Sequence, residues 1–235
     1  MSGLEKWQDA ISDNIANSSV AGFRSVGVAM HSEHLQAGVS EGDFDTALGS
    51  ELVKADMKVN YDHGMMLSSD APLDCAVDGD GFFTVRDSDG STRYTRDGRF
   101  HVDTDGKLVD SSGSAVLSGG SPIMGSAGAG DMRIDASGRV YQGSLELGQV
   151  SLVDIARKDA LVNVGNGFVA SGSSDAGVSP VAAPKLITGF YETGNVSIMR
   201  EMVNMINVSR AYEANSKTIS SADAAMGKAI QAFSA

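Results

Sequence analysis

The chain has 235 residues, 42% of them apolar and 20% charged, enough for a packed core in one large domain or two small ones and too apolar for wholesale disorder. Eighteen basic against 30 acidic residues leave a formal charge of −12. That charge excludes the basic footprint of a nucleic-acid binder and opposes an anionic lipid surface, while a lone cysteine, Cys75, excludes an intrachain disulfide framework and a cysteine-based zinc cluster.

Taken in chain order, Leu4, Gln8, Ile11 and Ile15 fall at three-to-four spacing, with Trp7 widening the stripe. This predicts an amphipathic helix that ends near Asn17, with Gly22 as a breaker beyond it. Glu5, Lys6, Asp9 and Asp13 interrupt any signal-peptide hydrophobic run, and no stretch of about 18 apolar residues predicts a membrane-spanning helix. Residues 23–73 lack a clean period and read as an extended or partly ordered connector. His31 and His34 would share a face if that stretch were helical, but no third ligand accompanies them, and solvated surface histidines are the preferred reading.

Residues 74–194 read as a β-rich body. Asp89-Gly90, Asp97-Gly98, Asp105-Gly106 and Ser112-Gly113 separate the strand-like segments 82–86, 92–96, 99–102 and 107–109. Asp-Gly between such segments predicts type I′ hairpins and a meander of short antiparallel strands. Further strands are expected at 132–134, 139–142, 148–155 and 167–170, and the Gly- and Ser-rich stretches 118–130 and 171–184 read as surface loops. From 195 onward the chain has no Pro and one Gly, Gly227, which predicts a long helix. Its apolar stripe runs through Met199, Met202, Val203, Ile206, Tyr212, Ile219, Met226, Ile230 and Phe233, with Asn204, Asn207, Arg210, Glu213 and Lys217 on another face. At about 1.5 Å per residue this helix exceeds 50 Å, longer than a compact domain needs, which points to a coiled-coil-like assembly element. The fold class is α+β, mainly β, with a helical domain built from 1–22 and 195–235, a connector at 23–73 and a β-rich outer domain at 74–194.

Catalytic signatures are missing: there is no G-x-S-x-G elbow, Walker A sequence or H-E-x-x-H. The glycine-rich run 125–130 does not lead into a helix. Asp78, Asp80, Asp103 and Asp105 partly match a calcium loop, but Ser112 stands where a bidentate Glu belongs, and turn-forming aspartates account for the pattern. Cys75, at a strand entrance, reads as a buried inert thiol. No catalytic, cofactor-binding or metal-binding residue is assigned, and no cofactor is expected.

Several separate motifs are similar to those of one family. Asp13-Asn14-Ile15-Ala16-Asn17-Ser18 followed by Gly22-Phe23-Arg24 resembles the N-terminal signature of bacterial flagellar rod and hook proteins. Pro72-Leu73-Asp74-Cys75-Ala76-Val77-Asp78-Gly79-Asp80-Gly81-Phe82-Phe83, continued by Tyr94-Thr95-Arg96-Asp97-Gly98, resembles the opening of their β-rich domain. Asn195-Val196, Glu201-Met202-Val203 and Arg210-Ala211-Tyr212-Glu213-Ala214-Asn215 resemble their C-terminal helix. Members of the family usually begin earlier, so this N-terminus reads as short; Val20-Ala21 stands where Thr-Pro is common, and Cys75 where Val is usual. Asp62-His63-Gly64 with 69–73 resembles the lead-in of the proximal rod member, whereas 211–221 resembles the distal one; the proximal member is favoured.

The resemblance implies a non-enzymatic subunit of the flagellar basal-body rod, spanning the periplasm and transmitting torque from motor to hook. Its implied partners are itself, other rod and hook proteins, and the flagellar export apparatus, which would deliver it without a cleaved signal peptide. Neither nucleic acid nor membrane insertion is implied. The expected assembly interface comprises Leu4, Trp7, Ile11, Asn14, Ile15 and Asn17 with Asn195, Val196, Arg210 and the stripe from Met199 to Phe233. A distal rod or hook-type subunit is the alternative, followed by a secreted β-domain glycan hydrolase or a calcium-binding module.

Overall fold

A computed structural model of the chain describes residues 2–34, 51–126, 130–165, 167–170 and 176–233. Two compact units emerge. The first joins both ends of the chain: helix α1 (Ser2–Ala16), strands β1 (Val26–His34) and β2 (Glu51–Val59), and helix α2 (Ile198–Phe233). Both helices form where the apolar spacing is three to four and Pro is absent. β1 and β2 pair antiparallel in unbroken register from Val26↔Val59 to His34↔Glu51. The stretch expected as a connector thus contributes two paired nine-residue strands to the helical unit, and residues 35–50 lie outside the described residues. His31 and His34 sit in β1 rather than on the helix on which the ligand reading depended.

The second unit comprises Asn17–Arg24 and Asp62–Asn195. Its central strand, Phe82–Arg86, is buried on both faces at Phe82, Phe83, Thr84 and Val85. A strand so enclosed takes neighbours on every side. It pairs with the next strand, Thr92–Thr95, but also with the distant Ala115–Ser118 and Leu152–Ile155, so at this strand the order leaves the expected meander. The expected meander runs from His101–Val102 through Leu108–Val109 and Ala115–Ser118 to Ser121–Pro122, and a second one forms the separate three-stranded sheet of Met132–Ile134, Arg139–Gln142 and Leu145–Gln149. Two short ribbons, Leu186–Thr188 on Cys75–Val77 and Phe190–Glu192 on Met66–Ser68, bring the late chain back to the start of the body. The core gathers Cys75, Val77, Phe83, Val85, Leu108, Val116, Val140 and Leu152, with Phe83 and Phe100 edge-to-face at 5.1 Å.

The Asp-Gly and Ser-Gly hairpins lie where the glycines indicate, but their turns differ from type I′. That geometry needs two consecutive residues at positive φ, which among the described residues only Gly119-Gly120 supply, in the loop between Ser118 and Ser121. Instead the repeating unit is Asp-x-x-Gly. In the turns at 103–107, 110–114 and 135–139 the Gly N–H donates to the Asp carbonyl, and the Asp N–H donates to the residue after the Gly. This is a type I turn closed by one left-handed glycine. The Asp103, Asp110 and Asp135 carboxylates each accept the backbone N–H groups two and four residues on. Asp97-Gly98 is not a hairpin turn: the Gly98 carbonyl accepts the Cys75 N–H at 3.0 Å, and a Cβ there would collide with the Cys75 carbonyl oxygen.

Two expected loops are partly structured. Within 118–130, Ser121–Pro122 pairs with Leu117–Ser118, and Ile123 enters the core while the neighbouring Met124 stays exposed. Within 171–184, Val178–Pro180 pairs with Val153–Ile155. Residues 127–129 and 171–175 lie outside the described residues.

Candidate assembly surfaces

In the helical unit, α1 packs on α2 and on the hairpin. Ala10, Ile11 and Asn14 of α1 are buried, and Leu4, Trp7 and Ile15 are half-buried. Asn14 makes no apolar contact surface. Its side-chain amide donates to the Val26 carbonyl and its side-chain oxygen accepts the Val26 N–H, both at 2.8 Å, which fixes the first residue of β1 as a strand neighbour would.

On α2 the single stripe expected from sequence resolves into two faces. At about 100° per residue, Glu201, Asn204, Met205, Val208 and Ala211 lie within roughly 60° of one line. Val208 is buried and the other four half-buried, so this is the face that α1 covers. Tyr212, Ile219, Met226 and Ile230 continue the same line, but all are exposed, as is every described side chain from Tyr212 to Gln231. The 15 residues of α1 reach about 22 Å, whereas the 36 of α2 reach about 54 Å, and the difference is this uncovered half. Met199, Met202, Val203 and Ile206 occupy the opposite face, 76%, 51%, 56% and 53% exposed. Arg210 is exposed on that side as well. Phe233 closes the helix, its side chain outside the described residues.

The covered line also shows a signal that the one-stripe reading passed over. Ile198, Met205, Tyr212, Ile219, Met226 and Phe233 recur every seven residues without a break. A strict heptad on one α-helix specifies a left-handed supercoil with a partner helix.

The β body holds the remaining motif residues and explains their chemistry. Within it the segment 17–24 is tied to 190–195: the Gly22 N–H donates to the Glu192 carbonyl at 2.8 Å and the Asn195 N–H to the Phe23 carbonyl at 3.2 Å. Gly22 sits at φ +66° against the Arg96 backbone, where a Cβ would collide. The Asn195 side chain donates to the Asp62 carbonyl, and Asn17 begins the turn that Val20 closes; Val196, half-buried, belongs to the first unit. Beneath this junction Arg24, Glu192 and Arg96 are fully buried. Glu192 Oε1 meets Arg24 Nη2 at 2.7 Å and accepts the Gly64 N–H at 2.8 Å, while Oε2 meets Arg96 Nη1 at 3.3 Å. Burial lowers the Arg96 pKa, and Glu192 opposes that shift. Arg96 also donates to the Gly79 carbonyl and stacks its guanidinium 5.4 Å from the Phe82 ring. Glu192 escaped the sequence reading because one acid in Phe190-Tyr191-Glu192 carries no spacing signal.

Asp74 is buried and accepts the Ser69 hydroxyl at 2.5 Å; Leu73 packs against the core, and Gly79 and Gly81 lie at positive φ where the chain enters its central strand. Tyr94 is half-buried, and burial raises its pKa. Apart from Tyr94, which lies in the strand Thr92–Thr95, these residues form the entrance to the β body.

Residues 76–142 match the family model described as the flagellar hook protein FlgE/F/G D1 domain, and residues 187–232 match that of the flagellar basal body rod FlgEFG protein C-terminal region. The chain is 31% identical to the flagellar basal-body rod protein FlgG of Buchnera aphidicola subsp. Acyrthosiphon pisum, over 97% of this chain and 96% of that one. It is 29% identical to the flagellar basal-body rod protein FlgF of Rhizobium meliloti, covering 97% and 92%. To FlgG of Bacillus subtilis it is 31% identical, covering 95% and 93%. The two family models place both the β body and α2 among the axial proteins of the flagellum. The chain belongs to the flagellar basal-body rod protein family.

Proposed function

We propose that this chain is a non-enzymatic subunit of the basal-body rod that joins copies of itself and other axial proteins through α1 and both apolar faces of α2. The β body serves as a separately folded outer domain stiffening the shaft. The observation that carries this reading is the exposed half of α2, whose apolar line continues the face already packed on α1. Most helical stability in proteins comes from packing an apolar face, and burying an apolar side chain contributes about 1.5–3 kcal/mol, so a partner helix is its natural cover. Repeated contacts of one surface against a different surface extend without closing, which is the geometry of a shaft. The reading includes passage across the periplasm after delivery by the flagellar export apparatus, and the Asp62-His63-Gly64 lead-in supports the proximal position.

The test is substitution on the face turned away from α1. Val203→Asp or Ile206→Asp adds a charge where the single chain is exposed, at a cost within about 0.5 kcal/mol to its own stability. Such variants should melt like wild type yet fail to support motility or rod assembly. Normal motility in both would refute the reading.

A further inference from the structure

Two lines of opposite charge run along the helices of the first unit. On α1, Glu5, Asp9 and Asp13 follow one another at four-residue spacing, all exposed, on the side opposite Ile11. They span about 12 Å of helix. On α2, Arg210, Lys217 and Lys228 are seven and eleven residues apart, spacings that return to one line within roughly 20°. All three are exposed, and the line lies opposite Val208, Tyr212, Ile219 and Met226. Arg210 and Lys217 stand about 10.5 Å apart along the axis, close to the span of the acidic line. Glu213 is the acid beside them, so the ridge keeps a net positive charge in a chain whose total is −12.

The packing within one chain separates these lines. α1 lays its Ile11 side towards α2 and the hairpin, and α2 meets α1 with its Val208 side. The acidic line therefore points away from α2, and the basic ridge points away from α1. Within one chain the two lines do not face each other, so a contact between them requires a second copy.

We infer that the acidic outer face of α1 in one copy docks on the Arg210–Lys217–Lys228 ridge of α2 in a second copy. This contact rests on the assembly reading above and deepens it by assigning an occupant to the basic side of α2. The two surfaces differ, so the contact is heterologous and each copy both gives and receives it. Charge matching along the ridge sets register and direction, while the apolar lines supply the bulk of the affinity.

Charge reversal in the purified full chain tests it. Glu5→Lys with Asp9→Lys makes both helices basic on these faces, and Arg210→Glu with Lys217→Glu makes both acidic. Each variant alone should associate about tenfold more weakly than wild type at low ionic strength in sedimentation velocity, and the deficit should shrink as salt is added. An equimolar mixture should recover association, because every contact in an alternating polymer then joins opposite charges. The chain carrying all four reversals should recover it too, which also shows that the substitutions spare the fold. Equal association of wild type and both variants, or no recovery in the mixture and the four-fold variant, would overturn this contact while leaving assembly through the apolar lines intact. Absence of self-association in wild type and in every mixture would overturn the assembly reading and this contact together.

Discussion

Replacing Glu192 by Gln gives the sharpest test of what holds the ends of the β body together. In the native chain one carboxylate balances two buried guanidiniums, with contacts at 2.7 and 3.3 Å, and also accepts the Gly64 N–H at 2.8 Å. The neutral amide of the Glu192→Gln variant would keep the shape and one acceptor but leave Arg24 and Arg96 as uncompensated buried charges. Removing one partner of a buried ion pair costs about 3–5 kcal/mol. For a domain of this size that corresponds to a fall in Tm of about 10–15 °C. Arg24→Met should be milder, because the surviving Glu192–Arg96 pair balances one to one. It also removes Nε and Nη1 of Arg24, which have no hydrogen-bond partner among the described residues. Thermal unfolding followed by far-UV circular dichroism gives both values. A Glu192→Gln loss below about 1 kcal/mol, or an Arg24→Met loss larger than that of Glu192→Gln, would refute this account of the cluster.

Gly98→Ala should prevent folding of the β body, because the added Cβ meets the Cys75 carbonyl oxygen on a fixed strand; a native-like melt of that variant would refute this. Burial opposes the ionisation of Asp135, yet hydrogen bonds from Ser137 and the Arg139 N–H hold its pKa below the ordinary 3.8. A depressed carboxylate stabilises the fold above its unfolded pKa, and that contribution disappears as pH falls through the folded value. Asp135→Ala should therefore destabilise at pH 7 and flatten the loss of stability below about pH 4, measured by urea unfolding across that range. Burial, reinforced by Asp74 and Asp97, pushes the Cys75 thiol far above its usual range. Native protein should accordingly resist iodoacetamide at pH 8 and react once unfolded, as read by mass spectrometry.

The parts of this molecule legible in its sequence are those set by local pattern. α1 and α2 follow from three-to-four spacing, and most body strands lie between recurrent glycines. The turn type eluded that reading because the decisive residue is the Asp three positions before Gly, not the one beside it. The β1–β2 hairpin eluded it because Val26, Gly27, Val28 and Ala29 do not alternate in polarity. The two faces of α2 merged because apolar residues at 198, 199, 202, 203, 205, 206 and 208 spread over about 220° of the circumference without a clear break. Only the position of α1 separates the covered line from the exposed one. The Arg24–Glu192 pair joins residues 168 positions apart, and no local spacing encodes such a contact.

The central claim is that the uncovered half of α2 is where copies join. Sedimentation velocity over a concentration series compares wild type with a chain carrying Ile219→Asp and Met226→Asp. Both residues are exposed in the single chain, so the variant should keep the wild-type β-body melt. The account predicts concentration-dependent association for wild type and a monomer at every concentration for the variant. Equal association of the two, or a wild type that stays monomeric throughout, would contradict it.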